Sequence, residues 1–258
     1  MVLPSEVSSG LRKFSNTSAP GPSGIPYSIL KRVHKANKRL LLSLFTLLLT
    51  QGYHPQAMKK ANGIDLDKPG KPDYRTLASL SIIVLLETVS KTLERLSAFR
   101  LAAAPRYLSL LHPNQCGSLA GLGCFDTVAT ITHEVRLLQA ASFKVSTLFL
   151  DVKGGFDNVC ANKLASTPAK GGVSPYQVGW IKSFLSRGQC RLIFQGAPRV
   201  LCPVTVRTPP GSPISPLPFV LYIASLHPTI PQGLAISYID DLTITVSSDS
   251  VSLNIRAV

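Results

Sequence analysis

Leu234-Ala235-Ile236-Ser237-Tyr238-Ile239-Asp240-Asp241-Leu242-Thr243-Ile244-Thr245-Val246 carries apolar side chains at every second position on both sides of an acid pair. Alternation with period two predicts two half-buried strands, and the polar pair between them predicts a tight turn. Asp is depleted in strands and favoured in turns, so the bland reading of Asp240-Asp241 is a solvated turn. A second acid upstream shifts that balance. Asp151 follows the short apolar run Leu148-Phe149-Leu150, which predicts a strand buried on both faces. An acid at a strand end is costly unless something neutralises it. If that strand lies beside the hairpin, Asp151 and Asp240 converge, and two close carboxylates repel. A pair of divalent cations, roughly 3.5–4 Å apart, resolves such a conflict and supports phosphoryl transfer.

The bulk properties narrow the partners. Twenty-seven basic against 13 acidic side chains leave a net charge of +14 over 258 residues. That excess favours a polyanion, nucleic acid before an anionic membrane. A 45% hydrophobic composition supports a sizeable core, in one large domain or two subdomains. Five cysteines (Cys116, Cys124, Cys160, Cys190 and Cys202) without a Cys-x-x-Cys pair indicate neither a disulfide framework nor a zinc site. They read as reduced core thiols of an intracellular protein with no disulfide-linked partner. The N-terminus has no signal-peptide pattern. The run Leu40–Leu49 is about half the roughly 20 residues a bilayer requires, so it reads as a buried helix and no membrane contact is expected. Gly121-Leu122-Gly123 is not a dinucleotide fingerprint, because Asp126 stands where the third glycine belongs.

Along the chain, residues 1–17 read as a loose tail and Ala19 to Pro26 as a turn-rich entry. Residues 27–50 read as helical, with Lys31, Arg32, Lys35, Lys38 and Arg39 on one face that is either simply solvated or touches phosphates. A turn at Pro69-Gly70 follows Lys68. Helices are predicted over Glu87–Leu96, Phe125–Ala140, Asn158–Lys170 (interrupted by Pro168) and Gln177–Leu185, and strands over Cys190–Phe194 and Val200–Val206. Ser212-Pro213 is predicted to open a helix running to about Ser225, since Ser caps well and Pro suits the first position.

Three ordered blocks resemble the reverse transcriptases of non-LTR (LINE-type) retroelements. They are Phe149-Leu150-Asp151 through Phe156-Asp157-Asn158-Val159, then Pro210-Gly211-Ser212-Pro213-Ile214-Ser215-Pro216, then Tyr238-Ile239-Asp240-Asp241. A lone Tyr-x-Asp-Asp is weak; three blocks in order are specific. The resemblance implies an α+β polymerase right-hand fold, with helical fingers, a palm of antiparallel sheet backed by helices, and the thumb missing. The implied layout is fingers over 18–113, a first part of the palm over 114–159, a connection over 160–205, and a second part of the palm over 206–258, truncated before a thumb. No endonuclease region is seen ahead of it. The implied activity is RNA-directed DNA synthesis in an intracellular, nuclear setting. Its partners are an RNA template, a DNA primer and deoxynucleoside triphosphates.

The resemblance also assigns residues. Asp151, Asp240 and Asp241 are the catalytic acids; Asp151, Asp240 and the Val152 carbonyl hold two Mg²⁺ ions, with Mn²⁺ a possible substitute. Lys68, Pro210, Gly211, Ser212 and Tyr238 belong to the nucleotide and template site. Phe156 is implied as the gate against a ribose 2′-hydroxyl, its alternative being a core aromatic. Departures accompany these matches. The family's Gly-x-Pro-Gln-Gly is here Arg207-Thr208-Pro209-Pro210-Gly211. Pro218 falls inside the predicted helix, with an expected cost of roughly 3 kcal/mol, and Ser81 stands where the family carries a triphosphate-binding arginine. These changes predict a weakened, degenerate copy, with a catalytically dead nucleic-acid-binding remnant as the other reading.

Overall fold

The computed structural model describes residues 2–70, 73, 76, 79–107, 111–117, 121, 123–151, 161–194, 197–204, 209, 211–224, 226–230 and 234–257. Among these residues the chain forms two four-stranded sheets and a set of helices. The architecture is mixed α and β, as expected.

The helical part carries the main core. α1 (Pro4–Arg12) and α2 (Tyr27–Ala36) each pack against both α3 (Lys38–Thr50) and α4 (Thr88–Tyr107). Trp180, Tyr27, Phe45, Phe219, Leu93, Leu101 and Leu164 are fully buried. Each such side chain contributes about 1.5–3 kcal/mol by leaving water. The run Leu40–Leu49 is helical and buries Leu41, Phe45, Leu48 and Leu49. Among the described residues no helix is long and apolar enough to cross a membrane. The 27–50 segment is two helices rather than one. Asn37 breaks it and its side chain accepts from the Arg39 and Leu40 amides, the usual work of an N-cap.

The N-terminal tail is a correction. Residues 4–12 are helical, and Val2, Val7 and Leu11 are buried. Glu6 closes the first turn on the Leu3 amide at 2.7 Å and takes both nitrogens of an Arg100 fork at 3.0 and 2.8 Å. The Arg100 hydrogen bond outweighs burial and holds the Glu6 carboxyl below its usual range. Few apolar residues mark this helix in the sequence. Tertiary contacts, not periodicity, fix it.

The first sheet has the order β2-β1-β5-β6, built from β1 (Lys60–Asp67), β2 (Leu80–Leu86), β5 (Gln189–Phe194) and β6 (Ala197–Pro203). β1 pairs antiparallel with β2 and parallel with β5. The second sheet has the order β3-β7-β8-β4, from β3 (Gln115–Cys116), β4 (Lys144–Asp151), β7 (Leu234–Tyr238) and β8 (Asp241–Ser248). Its pairings are antiparallel except β3 with β7, which is parallel. α5 (Cys124–Ala140) and α9 (Val251–Ala257) pack against β4 and β8. α6 (Ala161–Lys170), with Pro168 inside it, lies between α7 (Pro175–Phe184) and α8 (Pro216–Ala224).

Two further expectations are corrected. Leu148-Phe149-Leu150 is not buried on both faces: β4 is the edge strand and Phe149 is 72% exposed. An apolar run alone does not separate an edge strand from a central one. The cysteines are not uniformly core thiols either. Cys116 is buried, Cys190 half-buried, and Cys124 and Cys202 exposed, all four free; Cys160 lies outside the described residues.

Candidate active site

β7 and β8 form the hairpin that the alternation predicts. Tyr238 and Asp241 are its last cross-strand pair, so the turn consists of Ile239 and Asp240, one residue ahead of the Asp240-Asp241 turn expected, and Asp241 opens β8. Two-residue hairpin turns require a positive φ at their first central residue. Here that residue is Ile239, at φ 57°, a conformation a β-branched side chain rarely adopts. The surroundings hold it there. The Ile239 amide donates to the Cys116 carbonyl at 3.2 Å, and its side chain packs against the main core. Gly117, itself at φ 84°, makes room: a Cβ on it would stand 2.6 Å from Ile239 Cγ1. The short strand β3 therefore seats the turn, which fixes where Asp240 and Asp241 emerge.

β4 lies antiparallel to β8, with Asp151 directly opposite Asp241. Opposed residues on neighbouring strands share a face, and like charges there repel. Asp240 is one residue further on, so its Cα lies within about 10 Å of that of Asp151. Asp151 and Asp241 are exposed and Asp240 half-buried. Among the described residues no three His, Cys, Asp or Glu side chains gather around one point. Hard carboxylate oxygens from two adjacent strand ends nevertheless suit Mg²⁺, which binds through one or two carboxylates and completes its shell with water and phosphate. Tyr238, half-buried, has its ring edge within 3.2 Å of where a Cβ on Gly117 would stand.

The block at 209–216 is anchored from beneath. The Ser212 amide donates to the Pro209 carbonyl at 3.2 Å, and the Ser212 hydroxyl accepts from the Ile214 and Ser215 amides, each at 3.3 Å. The same hydroxyl donates to Glu94 Oε2 at 2.6 Å. Ser212 is therefore buried, with its side chain turned inward as an anchor for the block. Gly211 is exposed at φ 81°. The helix opens at Pro216 rather than Ser212. Pro218 then falls in its first turn, where amides have no intrahelical partner. The Ile214 carbonyl accepts from Leu217 instead, at 3.1 Å. The expected breakage at Pro218 does not occur.

Glu94 is the residue that sequence reasoning missed. It is fully buried, accepts from Ser90 at 2.7 Å, and Ser90 in turn lies 3.0 Å from His54 Nε2. Burial pushes the Glu94 carboxyl upward, against the Ser212 and Ser90 hydrogen bonds. Burial also takes His54 down to about 3, with the Lys59 charge adding to it. A signal existed: Ser90 and Glu94 are one turn apart on α4, beside the apolar Val89, Leu93 and Leu96.

Lys68 follows β1 directly, exposed, its amide donating to the Ser79 carbonyl at 2.9 Å. It belongs to the first sheet's hairpin end, whereas the acids belong to the second sheet. Val152, Phe156, Arg207 and Pro210 lie outside the described residues.

Acids at adjacent strand ends, with a stiff hairpin between them, are of the kind that two-metal phosphoryl transfer uses. The family model for reverse transcriptases (RNA-dependent DNA polymerases) matches residues 66–257, and the chain belongs to that family. Among curated proteins it is 26% identical over 249 residues to the probable RNA-directed DNA polymerase from transposon X-element of Drosophila melanogaster. It is 26% identical over 253 residues to the corresponding protein of transposon BS, and 23% over 254 residues to the RNA-directed DNA polymerase from mobile element jockey, both of the same organism. Each alignment takes in 95% of this chain but only 27%, 28% and 27% of the relative, so the chain spans about a quarter of their length.

Proposed function

We propose that this chain is the catalytic part of an RNA-directed DNA polymerase, extending a DNA primer on an RNA template with deoxynucleoside triphosphates in a nuclear setting. The observation that carries it is the pairing of Asp151 with Asp241 across β4 and β8, with Asp240 in the adjoining turn. The second sheet is read as palm and the first, with the N-terminal helices, as fingers. What supports this is that each sheet collects strands from two separated segments, 60–86 with 189–203 and 115–151 with 234–248.

Asp151, Asp240 and the Val152 carbonyl would hold two Mg²⁺ ions, or Mn²⁺ in their place. Bound ions of this type neutralise phosphate charge and sharpen the primer 3′-hydroxyl for attack on the α-phosphorus, with pyrophosphate leaving. The chain's own residues do the positioning. The β7–β8 turn holds Asp240 and Asp241 on a rigid support, so little reorganisation remains during reaction. Lys68 supplies positive charge to the triphosphate. Tyr238, Gly211 and Pro210 border the nucleotide pair, and Phe156 fills the space of a 2′-hydroxyl.

The test is primer extension on a primed RNA template with magnesium, comparing the parent with Asp151→Asn and Asp240→Asn. Extension by the parent and its loss in both variants are expected; extension by either variant contradicts the assignment. Arg207 and Pro210 favour a second reading, a remnant that binds primed template without extending it. The same assay separates the two, since a remnant binds the duplex and adds no nucleotide.

A further inference from the structure

Away from the acids, the 3-10 turn Gln56–Lys59 and the loop after α7 enclose an open groove of about 770 Å³. Among the described residues that line it, the cations are Lys59 and Arg187. Lys59 Nζ lies 3.3 Å from the Ser186 hydroxyl and 3.5 Å from that of Ser183. Neither cation forms an ion pair among the described residues. Burial, and then the Arg187 charge, lower the Lys59 ammonium below its usual range. Two like charges thus line one groove, an arrangement that a bound anion relieves. The backbone is strained at the same place. Arg187 sits at φ 54°, fixed by Gln56 Nε2 donating to its carbonyl at 2.8 Å, and left-handed conformations of non-glycine residues mark candidate functional positions. The rim adds an aromatic: Tyr53 lines the groove and is 51% exposed. Paired cations beside an exposed ring are the two parts of a single-strand site, charge for the backbone and a face for a base.

We propose that this groove binds single-stranded nucleic acid outside the catalytic centre, Lys59 and Arg187 taking phosphodiesters and Tyr53 stacking a base. It deepens the polymerase reading by giving an unpaired strand a second contact. It rests on that reading only for which strand is bound, because binding here needs no catalysis.

The test is fluorescence anisotropy with oligouridylate and oligodeoxythymidylate of about 20 nucleotides, across a salt series, alongside primer extension. Lys59→Gln with Arg187→Gln is expected to weaken binding at least about 10-fold and to reduce the salt slope by about 1.4, two single-strand contacts' worth. Tyr53→Ala is expected to weaken binding about 5-fold or more with the slope unchanged. Lys163→Gln with Lys170→Gln, an equal charge loss on exposed positions of α6, should cost less than about 2-fold. Equal losses on both oligomers identify the phosphodiester backbone as the ligand; loss on one alone identifies that strand. Unchanged binding in the groove variants, or an equal loss in the α6 control, overturns the proposal. On the parent protein, bound oligouridylate should slow acetylation of Lys59 but not of Lys163, and equal rates with and without it would also overturn the site. Lost binding in the groove variants of a parent that extends no primer would leave the groove standing and remove the polymerase reading.

Discussion

Glu94 joins the helical core to the block that borders the proposed nucleotide site. Its two oxygens accept from the Ser90 and Ser212 hydroxyls. Glu94→Ala would leave a cavity and strand both hydroxyls, so a loss of about 2–4 kcal/mol is expected in urea unfolding. Glu94→Gln keeps the shape and removes an acid whose carboxyl is pushed up by burial. An acid raised in the folded state contributes stability below its unfolded value, near 4.5, and that contribution is lost as pH rises through the folded value. The Gln variant should therefore unfold at higher urea than the parent at pH 7.5, with the advantage shrinking towards pH 4.5. A Gln variant weaker than the parent at every pH would show that the charge is needed. For Phe156, the expectation is relaxed sugar choice in Phe156→Ala, read as ribonucleotide incorporation by a parent and variant that both extend; unchanged discrimination returns the ring to the core.

The β7–β8 hairpin is the element on which the proposed chemistry depends, and Gly117 is its seat. Gly117→Ala places a Cβ 2.6 Å from Ile239 Cγ1 at a backbone angle that disfavours any side chain. The turn must move, and a displacement of about 1 Å at a reacting group costs on the order of 100-fold. Extension by Gly117→Ala should fall by about that factor while the protein stays folded by circular dichroism; parental activity would detach β3 from the site. This hairpin was legible because alternation survives in any strand with one face inward, although its turn falls one residue ahead of the acid pair, at Ile239 and Asp240. The partner strand was legible too, but not its burial, since Leu148-Phe149-Leu150 reads alike at an edge and at a centre. α1 was illegible because Val7 and Leu11 are too few to show a period, and Arg100, 94 residues away, completes its first turn. The start of α8 was misread because Ser212 looks like a cap and does accept two amides, yet its hydroxyl serves a turn ahead of Pro216. Of the candidate site, the acids were legible by residue type and spacing. Ile239, Gly117 and Glu94 were not, because their roles come from contacts between distant segments.

Across the whole molecule, the burial of His34, His54 and His227 is expected to shape the response to acid. His34, His54 and His227 are each lowered first by burial, His54 to about 3. A base lowered in the folded state contributes stability above its unfolded value, about 6.5, and that stability is lost as pH falls towards the folded value. Unfolding free energies from urea titration should therefore drop between pH 7.5 and 5.5, by about 1.4 kcal/mol for a histidine that burial keeps neutral throughout that range. Glu94 acts in the opposite direction over the same range, so the drop should be steeper in Glu94→Gln than in the parent. A flat profile in that variant would mean that the histidines charge freely in the folded protein.

The proposal that Asp151 and Asp240 share one metal site is tested most directly by cleavage of the backbone with Fe²⁺ in place of Mg²⁺, in the presence of ascorbate and peroxide. Hydroxyl radicals generated at the bound iron cut the chain nearby. Fragments ending close to both Asp151 and Asp240 are expected, suppressed together by excess Mg²⁺ and abolished at both positions by either Asp151→Asn or Asp240→Asn. Cleavage near one acid only, or cutting near Asp240 that persists in Asp151→Asn, would contradict a common site.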